Sequence, residues 1–183
     1  MAEPDEEREL ILKSQQGDHA AFEALILQYQ RMIHSLTYRM TGSLADAEVL
    51  AQETFIHAFR QLGAYRGEAK FSSWLYRIAV NLSLNWKNRE ARQQKLLAEW
   101  GEQESVQAHP NAGRAQAVQA ALLKLDPKQR AAIVLTTYDG LNHAEAAKIL
   151  GCSETTVSWR LFMARTKLKK LLSNVDRQEA GHE

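Results

Sequence analysis

Cysteine is nearly missing from this chain. Cys152 stands alone, which excludes an internal disulfide framework and fits a reducing compartment. Proline and glycine are scarce as well, at three and nine residues, so long 3.6-residue apolar patterns run with few interruptions and predict an all-α protein. No apolar run reaches the roughly 18–20 residues that a membrane span needs. The start MAEPDEEREL is too acidic for a signal peptide. The chain is therefore expected to be cytoplasmic and not itself a membrane protein. His19, His34, His57, His109, His143 and His182 are scattered, with no i,i+4 pair and no cysteine partner, so no metal site is expected. A phosphate-cradling glycine motif and a nucleophile setting are both lacking, which predicts neither a cofactor nor an enzyme.

Net charge is also close to absent, at +1, but its distribution is uneven. Lys70, Arg77, Lys87, Arg89, Arg92 and Lys95 face a single acid, Glu90, and the run from Arg160 to Lys170 has no acid at all. Two separate basic surfaces are the electrostatic footprint of a polyanion partner, or else, on charge alone, the solvated faces of ordinary helices. Acids gather instead in Glu3–Glu9, Asp46–Glu53 and Glu99–Glu104.

Read in order, the pattern predicts two small helical domains joined by a flexible linker. The first covers residues 1–95. A helix from about Asp5 ends at Gly17, and Asp18 caps a long helix that buries Phe22, Leu25, Tyr29, Ile33, Leu36 and Met40 and ends at Gly42. Ser43, with Asp46 three residues on, caps a helix burying Ala47, Leu50, Ala51, Thr54, Phe55, Ala58 and Leu62. A loop follows. Ser72 or Ser73 is then expected to cap a helix with Leu75, Ile78, Ala79 and Leu82 inward. Residues 96–113 are polar, include Pro110 and Gly113, and read as linker. The second domain, 114–175, has a helix from about Ala115 to Leu125. The next helix is capped by Asp126 with Pro127 at its first position, and a short helix capped by Asn142 follows. The turn Gly151-Cys152-Ser153 then leads into a last helix with Val157, Leu161, Ala164, Leu168 and Leu171 inward. Short helix, tight turn, second helix is a helix-turn-helix pattern. Residues 176–183 form a tail.

The outer side of that last helix suits a major groove. Thr155, Thr156 and Ser158 are placed to reach base edges, and Arg160, Arg165 and Lys167 to hold phosphates. Trp159, Phe162 and Met163 form an apolar strip on the same side. It touches thymine methyls or a covering protein, or else the helix phase is off by a residue and the strip packs inward.

Three stretches, DAEVLAQETFIHAF, YRGEAKFSSWLYRIAVN and LDPKQRAAIVLTTYDGLNHAEAAKILGCSETTVSWRLFMARTKL, occur in the order found in the bacterial extracytoplasmic-function (group IV) sigma factors. The chain resembles that family over nearly its whole length. The resemblance implies a transcription initiation factor that binds core RNA polymerase through Asp46, Glu48, Leu50, Gln52 and Glu53. It implies that the loop Tyr65-Arg66-Gly67-Glu68-Ala69-Lys70-Phe71 receives a base flipped from the melted minus-ten strand, where stacking offsets part of the unpairing cost. Asn81 and Asn85 would then meet base edges, and Lys87, Arg89 and Arg92 phosphates. The helix-turn-helix would read the duplex minus-thirty-five element through Thr155, Thr156, Ser158, Trp159, Arg160, Met163, Arg165 and Lys167. The resemblance further implies an anti-sigma factor that holds the protein inactive. Departures exist: Val49 and Ala51 stand where the family more often has an acid and a larger aliphatic residue. Ser158, Trp159 and Met163 replace the more usual Arg or small polar groups.

Two rivals follow from the same residues. A conventional helix-turn-helix regulator would bind its operator alone, as a dimer. A protein-interaction adaptor with a degenerate helix-turn-helix would not stimulate transcription.

Overall fold

A computed structural model describes the backbone of residues 4–99 and 113–179, and side chains over 5–86 and 113–173. Among the described residues the chain is helical, with no strand. The linker and tail expected at 96–113 and 176–183 lie mostly outside them; residues 96–99 and 176–179 continue helices.

Four helices build the first domain: α1 (Pro4–Gln15), α2 (His19–Thr41), α3 (Leu44–Gln61) and α4 (Phe71–Glu99). The caps form as expected. The Asp18 carboxylate accepts from the Ala21 N–H at 3.0 Å, and Ser43 Oγ from the Asp46 N–H at 3.3 Å. Ala47, Leu50, Ala51, Thr54, Phe55, Ala58 and Leu62 are all buried. Burying each of the larger ones is worth about 1.5–3 kcal/mol, so the inner face of α3 is fixed firmly against α2.

The reading of α4 needs two corrections. It starts at Phe71 rather than after Ser72 or Ser73, because the Phe71 ring is itself buried and draws the first turn into the core. Its buried arc is also wider than expected. Tyr76, Val80 and Ser83 are buried with Leu75 and Ala79, while Ile78 and Leu82 are only half-buried. The cause is that α4 is packed from two sides, by α2 and α3 and by helices of the second domain.

The second domain comprises α5 (Arg114–Leu123), α6 (Pro127–Ile133), α7 (His143–Leu150) and α8 (Glu154–Glu179). Asp126 caps α6 through the Lys128 and Gln129 N–H groups, and Asn142 and Glu145 close a reciprocal capping box on α7. Between Val134 and Tyr138 the chain widens into a π-helical turn, which periodicity did not reveal. Val157, Leu161 and Ala164 are buried, so the phase expected for α8 is right.

The domains dock closely. Arg130, 2% exposed, donates through Nε to Leu122 O at 2.8 Å and through its terminal nitrogens to Leu123 O, Leu125 O and Met40 O. One guanidinium thus satisfies open carbonyls at the ends of α5 and α2 together. Gln119 Nε2 donates to Tyr38 O and Arg39 O at 3.2 and 3.4 Å. Gly42, with φ +78°, ends α2 and takes the Leu123 side chain where a Cβ would stand. Only glycine meets both demands there.

Candidate nucleic-acid interface

The loop between α3 and α4 is built on aromatic rings. Tyr65 lies 5.4 Å from Phe71, edge to face, and 5.2 Å from Trp74; Phe71 lies 5.4 Å from Trp74 and 5.6 Å from Tyr29. Such pairs add about 0.5–1.5 kcal/mol each beyond their buried area. Phe71 is the buried centre and Tyr65 is half-buried. The Tyr65 hydroxyl donates to Ala69 O at 2.7 Å and so closes the loop. Burial raises the Tyr65 phenol above its usual range, with Glu7 adding to the effect, which keeps the hydroxyl protonated and donating. Above this base Arg66, Gly67, Glu68, Ala69 and Lys70 are exposed, and Gly67 has φ +73°. Trp74 packs partly into the core, as a supporting ring.

Further along α4, Asn81 and Asn85 are exposed one turn apart. The side chains of Lys87, Arg89 and Arg92 lie outside the described residues. A groove of about 660 Å³ runs from Tyr65, Arg66 and Trp74 to Arg77 and then to Glu145 and Lys148 of α7. Across it, an Arg77 terminal nitrogen donates to Lys148 O at 2.8 Å, and Lys70 Nζ stands 3.9 Å from Glu145. The first helix of the helix-turn-helix therefore walls one side of the loop.

On the outer face of α3, Glu48 and Gln52 are exposed, and Asp46 and Glu53 are half-buried. Leu50 points the other way at 3% exposure, whereas Val49 is 53% exposed. Leu50 therefore backs the acidic face from inside, while Leu44, Val49 and Ile56 are apolar groups that α3 exposes. Glu48 and Gln52 also line a groove of about 760 Å³ with Arg31, His34 and Leu44.

The outward side of α8 is open. Trp159 is 57% and Phe162 68% exposed, which removes the inward-packing alternative for this strip. Met163, Thr155, Ser158, Arg165 and Lys167 are exposed as well. Thr156 differs: its hydroxyl pairs with the capping Ser153 at 2.8 Å, so it serves the helix start. Ser158 Oγ meets His143 Nδ1 at 3.0 Å, and Arg160 reaches Cys152 Sγ at 3.4 Å. The first contact ties α8 to α7, and the second ties α8 to the turn between them.

A helical protein with an aromatic-based loop beside a helix-turn-helix whose outer face is exposed carries surfaces of the kinds that hold single-stranded and duplex nucleic acid. Comparison with known proteins agrees. Residues 25–93 match sigma-70 region 2, and residues 115–168 match sigma-70 region 4. The chain is 30% identical to the RNA polymerase sigma-H factor of Pseudomonas aeruginosa, over 97% of this chain and 100% of that one. It is 32% identical to the ECF RNA polymerase sigma-E factor of Haemophilus influenzae, over 92% and 96%. Among solved structures, the sigma factor RpoE in complex with the anti-sigma factor NepR from Bartonella quintana aligns at a TM-score of 0.70. There the identity is 26%, over 83% of this chain and 96% of that one. The chain belongs to the ECF sigma factors of the sigma-70 family, which are transcription initiation factors for RNA polymerase.

Proposed function

We propose that residues 1–95 form the domain that binds core polymerase and the minus-ten element, and that residues 114–175 read the minus-thirty-five element. The observation that carries this reading is the coexistence of two differently built surfaces, a ring-backed loop and an exposed helix face. Glu48, Gln52, Asp46 and Glu53 meet a basic partner on polymerase, with Leu50 holding their helix in place. The crown from Arg66 to Lys70, resting on Tyr65 and Phe71, receives an unstacked base, and Asn81 and Asn85 reach neighbouring bases. Lys87 and Arg89 hold phosphates. Thr155, Ser158, Trp159 and Met163 face the duplex groove, while Arg165 and Lys167 contact its backbone. Arg160 and Thr156 act through the shape of the motif.

The protein works in the cytoplasm without catalysis of its own. No described helix is long and apolar enough to cross a membrane. An anti-sigma factor holds it inactive, as the complex of the Bartonella relative with NepR suggests. Opening of the docked form is part of the reading. A compact chain of this length is about 40 Å across. Elements some 25 base pairs apart, as their names state, lie about 85 Å apart along B-DNA. Polymerase must therefore hold the two domains apart.

Run-off transcription with purified core polymerase tests the proposal. Promoter-directed initiation is expected only when the protein is added, and Glu48→Lys should reduce it about tenfold or more. Tight sequence-specific binding by the protein alone, with no stimulation of initiation, would favour the conventional regulator instead.

A further inference from the structure

The first helix, α1, lies outside both matched family regions, and the reading above gives it no work. Its geometry does. Glu7, Ile11 and Gln15 follow one another at four-residue spacing and so share one helix face. Ile11 is buried in the core. At the end of the helix, Gln15 Nε2 donates to Leu62 O and to Tyr65 O, both at 2.9 Å. These two carbonyls bracket the short 3₁₀ turn Leu62–Ala64 that leads into the loop. At the other end of the face, Glu7 accepts from the Tyr29 hydroxyl, and the Tyr29 ring meets the edge of Phe71. One helix thus grips the loop base at both points: the backbone of Tyr65 and the ring beneath Phe71.

The consequences run upward through the loop. Fixing the Tyr65 carbonyl fixes where its ring leans on Phe71 and Trp74. The ring direction sets the hydroxyl that holds Ala69 O. Ala69 closes the exposed crown of Arg66, Gly67 and Glu68. Glycine at 67 gives that crown conformational freedom, so its pose depends on its anchors. Gln15 is suited to the task because one amide nitrogen carries two hydrogens and serves two carbonyls at once.

We propose that α1 is a strut for the strand-reading loop, with Gln15 as a positioning residue for minus-ten discrimination. The inference rests on the function proposed above, because the loop must read a base for its pose to matter. Gln15 touches no DNA in this account. It acts through Tyr65, and removing it leaves the inventory of base-facing groups intact.

The test uses the full chain with core polymerase on three run-off templates: a promoter selected with the unaltered protein, the same with one minus-ten base changed, and the same with one minus-thirty-five base changed. Gln15→Leu removes both donated bonds while keeping side-chain volume and helix propensity. Stacking of a base on a positioned ring contributes to discrimination, and partial loss of that positioning should lower the ratio of matched to minus-ten-changed initiation roughly fivefold to tenfold. The minus-thirty-five ratio should stay within about twofold. Gln15→Glu, which turns an amide donor into an acceptor facing two carbonyls, should reproduce the effect if the leucine variant melts early. Unchanged minus-ten discrimination in both variants would overturn the proposal. A parallel fall in both ratios would do the same, since it marks a general loss of structure. If the unaltered chain supports no initiation at all, the functional reading fails first and the strut falls with it, an outcome distinct from either.

Discussion

The loop at 65–71 and the outer face of α8 carry the same kinds of side chain and treat them in opposite ways. Tyr65, Phe71 and Trp74 lean on one another and on Tyr29. Trp159 and Phe162 stand in solvent, with little behind them. The difference follows from what each surface has to hold. A loop must keep its shape alone, without the ladder of hydrogen bonds that fixes a helix, so its rings are used as foundation. A helix is already rigid through its backbone, and its rings are free to serve as contacts. Large exposed apolar groups on a rigid face mark an interaction surface; the same groups under a loop mark a scaffold.

Five changes would break or sharpen that contrast. The largest effect is expected from Phe71→Ala, which should cost about 3–5 kcal/mol in chemical denaturation as a buried-ring deletion. Trp159→Ala with Phe162→Ala should stay within about 0.5–1 kcal/mol while lowering activity at promoters that depend on the minus-thirty-five element. Equal destabilisation by the two would erase the distinction. Next comes Arg130→Met, which strips the shared partner from carbonyls at the ends of α5 and α2. At about 1–3 kcal/mol for an unsatisfied buried group, a loss near 3 kcal/mol is expected, with the domains separating more readily in small-angle scattering.

Asn142→Ala should cost about 1 kcal/mol through the lost capping box of α7, the helix that walls the loop; a thermal melt measures it. The last change concerns Asp139. Burial pushes its carboxyl up to about 6, opposed by Arg39 of α2 and the Tyr76 hydroxyl of α4. One of its oxygens, Oδ2, is buried without a hydrogen-bond partner among the described residues, and Arg39 also covers the neighbouring Tyr138 ring at 4.4 Å. A folded value above the ordinary 3.8 means that the stability linked to the protonated acid is complete below about pH 4. It is lost as pH rises through 6. Asp139→Asn should therefore raise the melting midpoint at pH 7.5, by the equivalent of about 1 kcal/mol after allowance for solvent screening. The gain should fade toward pH 4; a gain independent of pH would contradict the assignment.

Much of this was legible in the sequence because it is local. Asp18, Ser43, Asp126, Asn142 and Ser153 all cap the helices they precede, since a cap needs only the next three residues. The inward faces of α3 and α8 follow from periodicity for the same reason. What could not be read depends on contacts across the chain. Arg130 resembles any surface arginine until Met40, ninety residues earlier, comes against it. The buried arc of α4 widened because a second domain covers it, and the start of α4 moved because Phe71 belongs to a core assembled from α2. Of the site itself, the residue types of the loop and of α8 were visible. The engagement of Thr156 with its own cap and the grip of Gln15 were not.

The central claim is a division of labour between loop and helix, and one crossed measurement tests it directly. Initiation by core polymerase would be quantified with Tyr65→Ala and, separately, with Trp159→Ala, each on promoters altered in the minus-ten or the minus-thirty-five element. The account predicts that the Tyr65 variant becomes indifferent to the minus-ten change and still senses the other element. The Trp159 variant should show the reverse. If each variant loses both preferences to the same extent, the two surfaces are not separate readers and the account is wrong.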